Sequence, residues 1–217
     1  MKKLTLYLMG SALVVNLIAL AVCLVIFLGK REALCIKQET IYKTQYIDLG
    51  LPSGTLWADR NIGADTPEQA GDYFRFGETV PFTENSPEYF YDDIEENIAG
   101  TTKDAATVIL GKGYKMPTLE QIKELILLCS WKWTDLNGVK GMKVTGPNGN
   151  SIFFPASGCR SGNNGSLGGV GSSGYCWSAS AYNSYYCHNL YFYSSSWDWN
   201  YYYRAYGFPI RAVAKTN

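Results

Sequence analysis

Charge is scarce in this chain and, over one stretch, nearly absent. Only 18% of the 217 residues are charged, and the formal net charge is zero. Nucleic-acid-binding domains carry a basic patch or stripe, so no nucleic-acid partner is indicated. His188 is the single histidine, and the six cysteines lack the paired CxxC spacing of a zinc site. No Ser-His-Asp arrangement emerges around that one imidazole, and no residue pattern calls for a metal or a cofactor. From Tyr175 to Arg211 there is no Lys and no Glu, yet ten Tyr and three Trp. A core strand of that length would be Val, Ile and Leu, and a flexible linker would be Gly, Ser and charge. Tyr mixed with Ser and Asn is instead the composition of antibody paratopes, where rigid rings supply contact area and small polar residues adapt their hydrogen bonds.

What is present begins with an apolar run from Leu4 to Gly29, preceded by Lys2 and Lys3 and followed by Lys30 and Arg31. It exceeds the roughly 20 apolar residues that span a bilayer and is longer than the apolar core of a secretory signal. An uncleaved signal-anchor, transmembrane helix over 1–31 accounts for it best. A cleaved signal and a lipoprotein are the alternatives; Leu20-Ala21-Val22-Cys23 approximates a lipidation site but has Val before the cysteine. Residues 32–44 read as a polar stalk, and 45–217 as one domain held outside the cytoplasm, in the cell envelope. The 22 glycines point to many turns rather than a helical bundle.

Within that domain, Tyr46–Leu51 and Thr55–Ala58 read as a hairpin around the turn Pro52-Ser53-Gly54. Thr79 to Gly100 is acidic and reads as a solvated loop; calcium ligation is the alternative, without an Asp-x-Asp-x-Asp-Gly pattern to support it. Ala105–Leu110 reads as a short helix opened by Asp104. Thr118, with Glu120 and Gln121 behind it, caps a stronger helix whose Ile122, Leu125, Ile126 and Cys129 share one face. Gly141–Thr145 and Ser151–Pro155 flank the turn Pro147-Asn148-Gly149-Asn150 as a second hairpin. Gly158 to Gly174 reads as a long surface loop. Cys129 is expected to be a buried free thiol. Cys176 could pair with Cys187 or with Cys159, or all could be free.

The ordered segments Asp48-Leu-Gly-Leu-Pro-Ser-Gly-Thr-Leu-Trp57, Asn61-Ile-Gly-Ala64, Gly71-Asp-Tyr-Phe74, Gly77-Glu78, Met116-Pro-Thr118, Val144 to Ile152 and Pro155-Ala-Ser-Gly158 resemble the Fibrobacter succinogenes major paralogous domain family of surface proteins in gut Bacteroidetes. The resemblance covers roughly Tyr46 to Val213. It implies an α+β, C-type-lectin-like domain with two helices, small antiparallel sheets and long loops, behind the N-terminal transmembrane helix. Trp177-Ser-x-Ser180, Leu190-x-Phe192 and Arg204-x-x-Gly207-Phe208-x-Ile210-Arg211 further resemble the variable region of diversity-generating retroelement target proteins. There, adenine-directed mutagenesis turns Asn codons into Tyr, Ser, Asp, His, Cys or Ala, but never into Trp, Lys or Glu.

That resemblance divides residues 175–211 into two sets. Trp177, Leu190, Phe192, Trp197, Trp199, Arg204 and Arg211 become scaffold, with the two arginines tying loops to carbonyls or to Asp198. Tyr182, Asn183, Tyr185, Tyr186, His188, Asn189, Tyr191, Tyr193, Ser194, Asp198, Tyr201, Tyr202, Tyr203 and Tyr206 become a replaceable ligand-binding surface. The alternation in β-structure independently puts Leu190 and Phe192 on one face of their strand and Asn189, Tyr191 and Tyr193 on the other. The expectation is a scaffold buried as a unit, the other set exposed on a single face, and a receptor or adhesin for a protein or glycan ligand on another cell, a host or a phage. A fibre or assembly subunit is the first alternative. A thiol oxidase of the formylglycine-generating superfamily is the second; Cys187 and His188, as strand neighbours, point to opposite faces and do not form its dyad.

Overall fold

The structure, a computed structural model, describes residues 44–215. The expected anchor and all of the expected stalk but Thr44 lie outside the described residues. No helix among those described is long and apolar enough to cross a membrane.

Eleven strands and two short helices follow in order: β1 Tyr46–Asp48, β2 Thr55–Ala58, α1 Ala105–Leu110, α2 Leu119–Leu128, β3 Ser130–Leu136, β4 Val139–Thr145, β5 Ser151–Pro155, β6 Ser157–Arg160, β7 Leu167–Val170, β8 Ser173–Ala181, β9 Tyr186–Tyr193, β10 Ser196–Tyr203 and β11 Val213–Lys215. They form three sheets, ordered β1-β2-β11, β3-β4-β5 and β10-β9-β8-β6-β7. Among the described residues, strand takes 39% and helix 9%. The α+β, C-type-lectin-like expectation is therefore wrong: the domain is mostly β, and its helices amount to six and ten residues. The physical reason lies after Trp131. Ser130–Leu136 leaves α2 directly as a strand, and the Tyr- and Gly-rich segments form paired strands rather than long loops. Tyr and Trp favour pleated, half-buried surfaces. The expected loop from Gly158 to Gly174 instead contains most of β6, all of β7 and the start of β8.

Local signals elsewhere explain their elements. Asn137 and Gly138 have φ of 50° and 85°, the left-handed pair that a two-residue hairpin loop requires, and they join β3 to β4. The Asp104 carboxylate accepts from the amides of Ala106 and Thr107 at the start of α1, and also from those of Gly100 and Met116. Thr118 and Gln121 form a reciprocal capping box at α2.

Two cores lie on opposite faces of β8 and β9. One joins Trp177, Ala179 and Cys187 to Phe74, Phe76, Phe208 and the α1 alanines 105 and 106. The other joins Cys176, Leu190 and Phe192 to Trp57, Phe154 and the α2 residues Ile122 and Leu125. Adjacent residues of one strand thus enter different cores, as the two-residue period demands. Gly174 sits where a Cβ would collide with the Phe192 ring. β10, outermost in the sheet, reaches these cores only through Trp197 and Tyr202.

Candidate functional site: an aromatic hairpin at the sheet edge

β9 and β10 pair in continuous register, from Ser196 opposite Tyr193 to Tyr203 opposite Tyr186, around the two-residue loop Ser194-Ser195. The register sorts the side chains. On the face that carries α2, Trp197 lies opposite Phe192, Trp199 opposite Leu190, Tyr201 opposite His188 and Tyr203 opposite Tyr186. On the other face, Tyr202 lies opposite Cys187, Asn200 opposite Asn189 and Asp198 opposite Tyr191. The replaceable set is therefore not on one face, as expected, but divided between two.

The α2 face carries a ladder of rings. Tyr182, from the end of β8, stacks on Tyr201 at 4.4 Å and meets His188 edge-on at 5.4 Å. Tyr186 lies 4.4 Å from Tyr203 and 5.7 Å from Tyr201. Tyr185, in the turn before β9, lies 5.5 Å from Tyr91. Lys123 of α2 stands over the Trp199 ring at 5.6 Å. Such cross-strand aromatic pairs each contribute roughly 0.2–1 kcal/mol. The pKa of the Tyr186 phenol is pushed up to about 12, first by its hydrogen bond with Tyr203, so Tyr186 keeps its proton at neutral pH.

The opposite face carries a second, deeper group. Tyr175 lies 4.9 Å from Tyr191 and stacks on Phe208 at 4.6 Å, and Tyr202 lies 4.6 Å from Tyr206. Burial raises the pKa of both Tyr175 and Tyr202. Tyr191, Tyr202 and Tyr206 are half-buried, while Tyr193, Ser194 and Asp198 are exposed towards the hairpin tip.

Beneath these surfaces the scaffold residues are mostly interior: Trp177, Leu190, Phe192, Arg204 and Arg211 are buried and Trp197 is half-buried. Trp177 donates to the Phe74 carbonyl at 2.8 Å. Arg204 donates to the carbonyls of Asp92 and Ser184, to the Asp92 carboxylate and to the Tyr89 hydroxyl. It thereby ties the hairpin base to the acidic segment, not to Asp198. Arg211 donates to Asn61 Oδ1 and to the carbonyls of Ala58 and Phe153. Burial lowers its pKa to about 10, still cationic at neutral pH.

Two assignments do not survive in detail. Trp199 is 38% exposed, a surface ring rather than a buried prop. Asn189 is 0% exposed, enclosed between Trp177 and Asn200 on its face, and cannot touch a ligand. Its side-chain oxygen and nitrogen have no hydrogen-bond partner among the described residues. Asn183 is exposed but holds the turn, accepting from the amides of Tyr185 and Tyr186. Tyr91, Lys123 and Tyr175 also belong to this surface without any local signal for it; Tyr91 meets Tyr185 and Lys123 meets Trp199 from distant segments. A cleft of about 470 Å³ opens beside Tyr91 and Ala205, lined also by Arg75, Phe82 and Tyr89.

Cys129, Cys159, Cys176 and Cys187 are free, so of the alternatives for Cys176 the unpaired one holds. Burial raises the pKa of the Cys187 thiol, and the register puts it on the face opposite His188. Among the described residues no three His, Cys, Asp or Glu side chains are grouped to hold a metal.

Fold and site together define a β-rich domain that presents an aromatic hairpin at the free edge of its largest sheet. Residues 133–213, from the middle of β3 to the first residue of β11, match a family described only as a domain of unknown function, DUF8237. No curated protein and no solved structure matches the chain.

Proposed function

We propose that this chain is an envelope-anchored binding protein, a receptor or adhesin, whose ligand rests on the aromatic ladder of the α2 face. The observation that carries this reading is the exposed set Tyr182, Tyr201 and Tyr203, linked through Tyr186 into one run of ring contacts above a buried frame, with exposed Tyr185 beside it. A contiguous exposed aromatic surface marks an interaction site. Rings already held by their neighbours lose little freedom when a ligand arrives. The ligand is a protein or a glycan, the surface acts by binding and not by catalysis, and the Leu4–Gly29 run anchors it to the membrane.

We further propose that retroelement-directed mutagenesis diversifies the exposed positions. Within residues 175–211 those positions, Trp199 apart, all carry residues of the reachable set, and the Trp residues that fall outside it are fixed. Diversification would be tolerated where side chains face solvent, as at Tyr182, Tyr185, Tyr193, Tyr201 and Tyr203, and resisted at enclosed Asn189, Cys176 and Cys187.

The binding test displays the full chain on cells and probes a printed glycan array and intact bacterial cells. Tyr201→Ser with Tyr203→Ser should abolish binding while surface level holds and the protein still melts cooperatively, its stability lowered only by the lost ring pairs. Retained binding places the site elsewhere. Diversification is tested in DNA: a near-copy of the codons for Cys176 to Arg211, differing almost only at adenines and beside a reverse-transcriptase gene, is the expected finding. Its absence overturns that part of the reading alone.

A further inference from the structure

β10 is an eight-residue edge strand with nothing on its outer side among the described strands. Natural edges are usually guarded by Lys, Pro, a bulge, short length or a covering element. β10 has no Lys or Pro, and its register runs unbroken through eight pairs. Because Ser194-Ser195 is a two-residue loop, the closing pair Tyr193–Ser196 is hydrogen-bonded, and bonding pairs alternate from there. Ser196, Asp198, Asn200 and Tyr202 thus bond inward to β9. Trp197, Trp199, Tyr201 and Tyr203 turn their backbone groups outward.

Two of those outward amides are occupied in a revealing way. The Trp199 amide donates to Asp198 Oδ1 at 2.7 Å, and the Tyr201 amide donates to Asn200 Oδ1 at 2.8 Å. Each is capped only by the side chain of the preceding residue. Such local bonds compete with a sheet ladder and can be exchanged for it.

We propose that β10 pairs antiparallel with β10 of a second copy of this chain, about a two-fold axis at Asn200. The sequence Trp197-Asp-Trp-Asn-Tyr-Tyr-Tyr203 is nearly symmetric about that residue. Pairing there sets Trp199 against Tyr201 and Trp197 against Tyr203 in both directions, so every outward backbone group meets its counterpart and rings meet rings. Asp198 falls opposite Tyr202, not opposite a second Asp198, so the only charge on the strand avoids its like. This symmetry favours a second copy over an unrelated extended peptide. The Asp198 and Asn200 side chains release the two amides as the new ladder forms. The two aromatic ladders then become one continuous surface on a ten-stranded sheet. The inference rests on the edge and not on the ligand-binding reading.

The test is oxidative cross-linking of the full chain in its membrane. Asn200 sits at a non-hydrogen-bonded pair, where Cα atoms lie about 4.5 Å apart, within the roughly 4.4–6.8 Å that a disulfide spans. Asn200→Cys should give a covalent homodimer well above the wild-type background, whereas Asp198→Cys, displaced from the axis, should not. Adding Tyr201→Pro removes an outward amide at a position where an edge strand tolerates proline, and should eliminate the dimer while the melting temperature holds. Asp198→Ala, which frees the Trp199 amide, should raise dimerisation measured by chemical cross-linking. No dimer above background from Asn200→Cys, equal dimer from Asp198→Cys, or capture of a different polypeptide in place of a second copy each overturns the proposal. Because none of these readouts uses ligand, failure here is distinct from failure of the binding test.

Discussion

Trp177 and Trp199 stand in the same sheet two strands apart, and one is wholly enclosed while the other is 38% exposed. Their residue type is the same, but Trp177 packs against Phe76 and Phe208 while Trp199 lies under Lys123. What differs is the number of covered sides. β8 has strands on both edges and a core against each face. β10 has a strand on one edge, and its ladder rings reach neither core. Burial in this sheet is therefore set by position in the strand order, not by hydrophobicity. The largest expected effect follows. Trp177→Ala should cost about 3–5 kcal/mol through the lost ring and its cavity, whereas Trp199→Ala should cost less than about 1 kcal/mol. Denaturant melts of the two variants check this, and equal losses would break the comparison.

The arginines sharpen the same contrast between interior and edge. Arg211 is buried among neutral acceptors, with the Phe154 ring beneath its guanidinium at 4.5 Å. Arg211→Met keeps much of the volume but leaves three acceptors without a donor. Each unsatisfied buried group costs about 1–3 kcal/mol, so a loss near 3 kcal/mol is expected. Lys123 above Trp199 is a half-buried counterpart nearer the surface, and Lys123→Met should change stability by no more than about 0.5–1 kcal/mol. If the Arg211 variant melts like the parent, the buried frame is not what holds β11 and β5 in place.

Much of this was legible where the signals are local. The capping residues Asp104 and Thr118 and the turn at Asn148-Gly149 all lie within four residues of what they control. The buried scaffold residues could be separated from the Tyr set because Leu, Phe and Arg break its composition. The fold class was not legible, because aromatic and small polar residues were read as display loops when they are also good strand formers. Nor was the division of the replaceable set between two faces. Alternation marks which residues share a face, but a strand buried on opposite faces at its two ends shows no single period. Asn189 illustrates this. It alternates correctly with Tyr191 and Tyr193 yet is enclosed, because its end of the strand lies over Trp177. Arg204 reaches carbonyls as expected, but its carboxylate partner is not Asp198 but Asp92, 112 residues away and beyond any local pattern.

The smallest expected effect separates the ladder from the frame by pH. His188 lies in the ladder between Tyr182 and Tyr201, and its Nδ1 is buried without a partner. Burial first, and the Lys123 charge also, hold its pKa below the ordinary 6.5, against an opposing contact with the Asn200 backbone. The unfolded chain therefore takes up a proton at His188 before the folded chain does. Stability from this group is complete above pH 6.5 and is lost as pH falls from there through the folded-state value. The carboxylates held low by partners, such as Asp92 beside Lys103 and Arg204, lose their contributions only at more acidic pH. Melting temperature between pH 7.5 and 5 should fall for the parent chain and fall less for His188→Asn. The difference curve isolates the ladder's contribution, since Trp177 and Arg211 do not titrate in that range. Parallel curves for the two proteins would mean that the imidazole is hydrated in the folded state, and that the ladder packs more loosely around it than its ring distances indicate.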